Sequence, residues 1–198
     1  MEKLSNKKLI LASSSPRRKE LLKMLGVKFK IIPSQIKEEE IDRNLSPKDY
    51  VRRLSYLKAF DVASKTSNAI VIGVDTVVVF ENKILGKPQT KKKAIEMLKK
   101  LSGKMHLVIT GITVINTATK QIAQDAVITK VKFGKLDKNL ITKYVFTREP
   151  LDKAGAYGIQ GKGSLSVESI DGDYFNVVGL PLYKLNRLLK NFGAFLLL

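Results

Sequence analysis

Chemistry-bearing residues stand out at four places in this 198-residue chain. The first is Ser13–Ser14–Ser15–Pro16–Arg17–Arg18, directly after the short apolar run Leu9–Ala12. Ser at the N-cap with Pro in the first helical position reads as a helix start. Unpaired N–H groups and the dipole at such an end favour an anion, such as a phosphate. Arg17 and Arg18 put positive charge in the first turn, which opposes the dipole at roughly 0.3–1 kcal/mol. An anionic ligand would remove that conflict. The plainer alternative is an ordinary Ser cap with solvated arginines.

The second place is Asp75, which interrupts the apolar β-branched run Ala69–Phe80. An unpaired carboxylate is costly to bury in such a strand. A metal ion, a proton-abstraction role, or a salt bridge at a sheet edge would each account for it. The third is Gly86–Lys87–Pro88, a turn that can aim one ammonium at a phosphate or be a plain loop. Lys58 and Glu38 are each one charge among many. The fourth is the segment from Glu149 to Gly161, EPLDKAGAYGIQG. Its glycines permit close backbone approach to a ligand, and Gln160 carries a donor and an acceptor suited to a nucleobase edge. It matches neither the dinucleotide-binding nor the P-loop glycine pattern. His106, the one histidine, lies in an apolar run and reads as a core or cleft hydrogen-bonder.

The elements around these residues follow from periodicity and caps. After the first helix, which Gly26 stops, Val27–Pro33 reads as a strand and 34–46 as a loop. Ser46–Pro47–Lys48–Asp49 starts a second helix as a capping-box variant. Ala69–Phe80 is a buried strand, Glu81–Lys83 a turn, and Ile84–Leu85 its return. Thr90 caps a third helix that ends at Ser102–Gly103. Met105–Asn116 and Gln121–Phe133 are strands joined at hairpin length. Asp137 caps a fourth helix, residues 148–180 read as irregular, and Pro181 starts a last helix. Helices interleaved with strands give an α/β fold with a mixed sheet. The length suits one domain, 1–198, with two lobes.

Composition excludes several classes. There is no Cys, hence no disulfide scaffold, Cys-ligated zinc or thiol nucleophile. No apolar run approaches the roughly 20 residues of a membrane-spanning helix, and the leading segment lacks a signal-peptide core. A cytoplasmic location is expected. The net charge is +18, which attracts polyanions. Yet only seven of the 36 basic residues are Arg, and the lysines are scattered along the chain. That reads as solvated surface more than as a nucleic-acid face. With aromatics at 7% and no Trp, base stacking on single strands is disfavoured.

Taken in order, SSSPRR, GVDTVV, LGKP, LSGKMHLVITG, EPLDKAGAYGIQG and DYFNVVGLP closely resemble the Maf family of nucleoside triphosphate pyrophosphatases. The motifs run from residue 9 to about 192. The resemblance implies a two-lobed fold like that of inosine triphosphate pyrophosphatases, with the nucleotide in the cleft between the lobes. It implies hydrolysis to the monophosphate and pyrophosphate with Mg²⁺ or Mn²⁺. On this resemblance Asp75 is the proton acceptor, and Asp75 and Glu38 are metal-proximal carboxylates. Arg17, Thr76 and Gln160 fall on positions that affect substrate choice; Ser13, Arg18, Lys58 and Lys87 fall on phosphate-proximal ones. DKAGAYGIQG resembles the branch acting on dTTP and UTP, as against 7-methyl-GTP. A homodimer and a role in nucleotide-pool cleaning or division control are further family-level expectations. Two readings compete: a basic nucleic-acid-binding or regulatory protein, and a same-fold pyrophosphatase for modified purine nucleotides.

Overall fold

The computed structural model describes residues 8–37, 45–194 and 196. Among these the elements run β1 (Lys8–Leu11), α1 (Pro16–Met24), β2 (Lys30–Ile31), α2 (Pro47–Ala63), β3 (Ala69–Phe80) and β4 (Lys83–Leu85). Then follow α3 (Lys91–Leu101), β5 (Met105–Asn116), β6 (Ile122–Phe133), α4 (Lys138–Phe146), β7 (Val167–Asp171), α5 (Tyr174–Val178) and α6 (Leu182–Lys190). The strands form a seven-stranded sheet in the order β2-β1-β3-β5-β6-β7, with β4 on β3. β1 runs parallel to β2 and β3, whereas β3–β4 and β6–β7 are antiparallel. The sheet is therefore mixed, as the interleaved pattern predicts. No described helix is long and apolar enough to cross a membrane.

The helix starts follow the local chemistry. Ser46 Oγ accepts from the Asp49 amide at 3.2 Å and donates to Asp49 Oδ2 at 2.6 Å, a capping-box variant. Thr90 caps α3 through the Lys93 amide, and Asp137 caps α4 through the Leu140 amide at 2.7 Å. Gly26 adopts φ +69° just past α1, the left-handed conformation that ends helices.

Two expectations need correction. The strand expected over Val27–Pro33 shrinks to Lys30–Ile31, both exposed. It lies at the sheet edge beyond β1, offers no buried face, and meets Pro33, which has no N–H to pair. Residues 148–180, expected to be irregular, contain three single turns of 3-10 helix, then β7 and α5. β7 pairs with β6 from Lys130↔Asp171 to Phe133↔Val167. Its sequence, VESID, is polar and largely exposed, so it carries no alternating apolar signal.

By contact the chain divides into two compact units. The first comprises residues up to Asp75, Thr110–Val127 and the chain from Gly179 onward. Its core includes Ile10, Ala12, Ala59, Val62, Val71 and Ile115, where α2 covers β1, β3 and β5. The second comprises Thr76–Ile109 and Ile128–Val178. Its core sets Ala94, Leu98 and Leu101 of α3 and Ile141, Tyr144 and Val145 of α4 against Val78, Val108, Val131 and Phe133.

Candidate functional site

The first unit holds a buried ion pair. Lys58 Nζ donates to Asp75 Oδ1 at 2.7 Å, and the two side chains are 13% and 8% exposed. Asp75 is on β3, which the sheet order places between β1 and β5. It is thus salt-bridged, but inside the sheet and not at an edge. The partner comes from α2, and two glycines let α2 come close enough. A Cβ on Gly73 would run into Ser55 O and lie 2.6 Å from Ala59 N. A Cβ on Gly111 of β5 would run into Val51 O and lie 2.8 Å from Arg52 N. Real Cβ atoms do not approach backbone that closely, so glycine is required at both points.

Alternation along a strand puts Gly73 and Asp75 on one face, and Gly111 and Thr113 on one face. The turn of α2 from Ser55 to Ala59 therefore rests on Gly73 and delivers Lys58 to the carboxylate two residues along. Ser55 Oγ and Thr113 Oγ1 share a buried hydrogen bond of 2.9 Å. Gln124 Nε2 donates to Thr113 Oγ1 at 2.9 Å and to Arg52 O at 2.7 Å. These bonds pin the same stretch of helix to β5 and β6. A glycine inside a β-branched run signals such an approach; the polar pins give no local signal.

Ser13 and Arg18 belong to the same unit. β1 pairs with β3 up to Leu11↔Ile72, and Ala12 N donates to Ile72 O at 2.8 Å. Continued past that pair, the register sets Ala12 beside Gly73 and Ser13 beside Val74, one residue short of Asp75. This is the carboxyl end of β1, where open α/β sheets bind ligands. Ser13 is buried, and its Oγ accepts from Ser15 N at 3.2 Å and from an Arg18 guanidinium N–H at 3.0 Å. Arg18 Nε donates to Gly179 O at 2.8 Å, across 161 residues of sequence. The charge conflict at the start of α1 is thus met in part by a backbone carbonyl. Ser15 makes no side-chain cap bond, and Arg17 is half-buried in the first turn.

The remaining candidates divide differently. Asp75 is the last residue of its segment in the first unit, and Thr76 opens the second. Thr76 is half-buried; Lys87 and Gln160 are exposed. Within the second unit the Lys87 loop is tied to the glycine-rich segment: Gly155 N donates to Gly86 O at 3.2 Å, and Gln89 N to Leu151 O at 3.2 Å. Gly155, at φ +68°, lies against Val78, where a Cβ would sit 2.9 Å from its methyl groups. Glu38 lies outside the described residues. His106 is a core residue, as expected. Its Nε2 shares a 2.8 Å hydrogen bond with the Tyr157 hydroxyl, and its ring meets Phe133 edge-on. Burial lowers its pKa to about 4, so the ring is neutral near pH 7.

A divalent ion finds limited but compatible ligands. Among the described residues, no three His, Cys, Asp or Glu side chains come together. Asp75 is a hard oxygen donor whose charge is already balanced by Lys58. A single carboxylate suits an ion such as Mg²⁺, which takes one or two carboxylates and completes its shell with substrate phosphates and water.

Comparison with known proteins gives a consistent result. The sequence profile of the family described as Maf-like protein matches residues 8–192. The protein of Alkaliphilus oremlandii named dTTP/UTP pyrophosphatase is 53% identical over 186 residues, covering 93% of this chain and 96% of its own length. The like-named protein of Dictyoglomus thermophilum is 47% identical over 191 residues, 96% of this chain and 99% of its own. Among solved structures, a HAM1 protein from Coxiella burnetii aligns with TM-score 0.46 at 16% identity, over 81% of this chain and 91% of that one. With a profile match over nearly all of its length and relatives near half identity, the chain belongs to the Maf-like family.

Proposed function

We propose that this chain hydrolyses dTTP and UTP between the α- and β-phosphates, releasing the monophosphate and pyrophosphate. The substrate preference rests on the relatives named for it. The observation that carries the chemistry is the buried Lys58–Asp75 pair at the carboxyl end of β1. A buried carboxylate held in one orientation by an ammonium suits proton transfer at a fixed point. In the proposed step the oxygen of a water forms a bond to the α-phosphorus. Its proton passes to Asp75. The bond from the α-phosphorus to the bridging oxygen breaks, and pyrophosphate leaves with the electron pair.

Lys58 orients the carboxylate and balances its charge. Arg18, fixed by Ser13 and the Gly179 carbonyl, and Arg17 beside it contribute positive charge for the phosphates, and Lys87 is proposed as a further phosphate-binding cation. Glu38, and Asp75 where it acts as ligand instead of base, are the carboxylates proposed to hold Mg²⁺ or Mn²⁺, and the ion would supply Lewis-acid polarisation of the phosphoryl group. Arg17, Thr76 and Gln160 are proposed to set nucleotide choice. The two units form one pyrophosphatase domain in this reading, which also takes over the expected homodimer and cytoplasmic location.

Pyrophosphate release with Mg²⁺ or Mn²⁺ across dTTP, UTP, CTP, the purine triphosphates and 7-methyl-GTP tests the proposal. Preferred turnover of dTTP and UTP, lost in Asp75→Asn, is the expected result. Near-normal turnover in Asp75→Asn sinks the assignment of that residue. No turnover of any nucleotide by the folded protein sinks the function. Residual activity of the variant also separates the two roles of Asp75. Loss of a base leaves the metal dependence unchanged, whereas loss of a ligand weakens it.

A further inference from the structure

The glycine-rich segment that carries Gln160 is organised around one acid. The Glu149 carboxylate accepts three hydrogen bonds: Oε1 from the Tyr144 hydroxyl at 3.1 Å and from Gly163 N at 3.3 Å, and Oε2 from Lys162 N at 3.2 Å. The Tyr144 hydroxyl in turn accepts from Gly158 N at 3.3 Å. Burial raises the Tyr144 pKa far above its ordinary value, which keeps the hydroxyl protonated as the donor to Glu149. The Glu149 carbonyl receives Lys153 Nζ at 2.6 Å, and the Lys153 stem lies where a Cβ on Gly158 would touch it at 3.0 Å. Space is closed on the far side as well. A Cβ on Gly161, at φ +91°, would sit 3.3 Å from Glu149 Oε2, and one on Gly163 would meet the Tyr144 hydroxyl at 2.5 Å.

The chain is thus pinned at Gly158 and again at Lys162 and Gly163, and Gln160 is presented between the pins. A carboxamide has an oxygen and an amino group of nearly equal size, exchanged by a half-turn. Left free, it satisfies either the thymine edge, with N3–H between carbonyls, or the cytosine edge, with acceptor N3 beside an amino group. Discrimination between them needs the amide held in one orientation. The flank before Gln160 is held by the Tyr144 hydroxyl and the flank after it by the Glu149 carboxylate, and the two side chains are joined by their own hydrogen bond.

We propose that Glu149, with the Tyr144 hydroxyl, is a positioning residue that makes Gln160 selective for the thymine or uracil edge over cytosine. The proposal rests on the reading of Gln160 as a base-contacting residue. It is tested by kcat/KM for dTTP and dCTP in the full-length wild type, Gln160→Ala, Glu149→Gln and Tyr144→Phe. The expected result is a dTTP-to-dCTP ratio that drops by about tenfold or more in all three variants. In Glu149→Gln the drop arises mainly from a lowered KM for dCTP. Tyr144→Phe keeps the buried ring and removes only the hydroxyl, so it decides the matter should Glu149→Gln fail to fold. A loss of turnover that is equal for both nucleotides in Glu149→Gln and Tyr144→Phe marks a merely structural role and overturns the proposal. Wild-type ratios in those two variants, with the ratio lost in Gln160→Ala, overturn it while leaving Gln160 as the reader. An unchanged ratio in Gln160→Ala removes the base-contacting reading itself, and this proposal with it.

Discussion

Replacing Gly73 by Ala tests the link between packing and chemistry. The added Cβ would lie 2.6 Å from Ala59 N, 2.7 Å from Ala59 Cβ, and closer still to Ser55 O. Two of these three are backbone atoms, so no rotamer change relieves them. Ordinary contact between such atoms is about 3.4–4 Å, which requires α2 to retreat by about 1 Å. The retreat acts on the turn that carries Lys58. Starting from 2.7 Å, the Lys58–Asp75 bond would lengthen past the useful hydrogen-bond range. A misplacement of about 1 Å in a catalytic arrangement costs about a hundredfold in rate. Overpacking costs about 1–3 kcal/mol of stability. The assay is pyrophosphate release on dTTP for kcat, paired with urea unfolding. Adding Ala59→Gly removes the Cβ contact but leaves the two backbone ones, so it should not rescue the variant. Wild-type kcat and an unchanged unfolding midpoint in Gly73→Ala would refute the reasoning.

Two other outcomes follow from the same structure. Lys58→Met strands a buried carboxylate and should cost about 3–5 kcal/mol, while Lys58→Met with Asp75→Asn recovers part of that loss. A urea double-mutant cycle with no coupling would contradict the pair's burial. His106 has a pKa near 4 in the fold against 6.5 when unfolded, because burial disfavours its charged form. The unfolded chain then binds the extra proton first, so stability is full above pH 6.5 and falls as the pH drops towards 4. The loss is about 3 kcal/mol. His106→Gln should flatten that window. The carboxylates whose pKa is lowered by hydrogen bonds and nearby lysine, Asp61 and Asp125, act at still lower pH. A wild-type unfolding midpoint that does not change from pH 6.5 to 4 would contradict the burial of His106.

Much of the architecture was legible in the chain itself, because it depends on near neighbours. Ser46, Thr90 and Asp137 cap helices through amides three residues on. A run of β-branched residues such as Ala69–Phe80 has few alternatives to a buried strand. The motifs also point to Ser13, Arg18, Asp75 and Gln160 as residues of interest, since an acid in an apolar strand or arginines at a helix start conflict with local rules. Where local signals are weak, the pattern gave out. β7 has no apolar alternation, and β2 sits at an edge where Pro33 stops the pairing.

The pairing of these residues was decided only by the tertiary fold. Among 29 lysines nothing local marks Lys58, until α2 settles onto Gly73 and Gly111 and brings it to Asp75. Arg18 reads as a charge at odds with the dipole until Gly179, 161 residues away, offers its carbonyl. Glu149 is only the first residue of the glycine-rich segment until the chain folds back and three donors converge on it. Caps and strands are set by energies within a few residues. Partners for buried charges are set by which backbone surfaces approach most closely, and that depends on the packing of the whole chain.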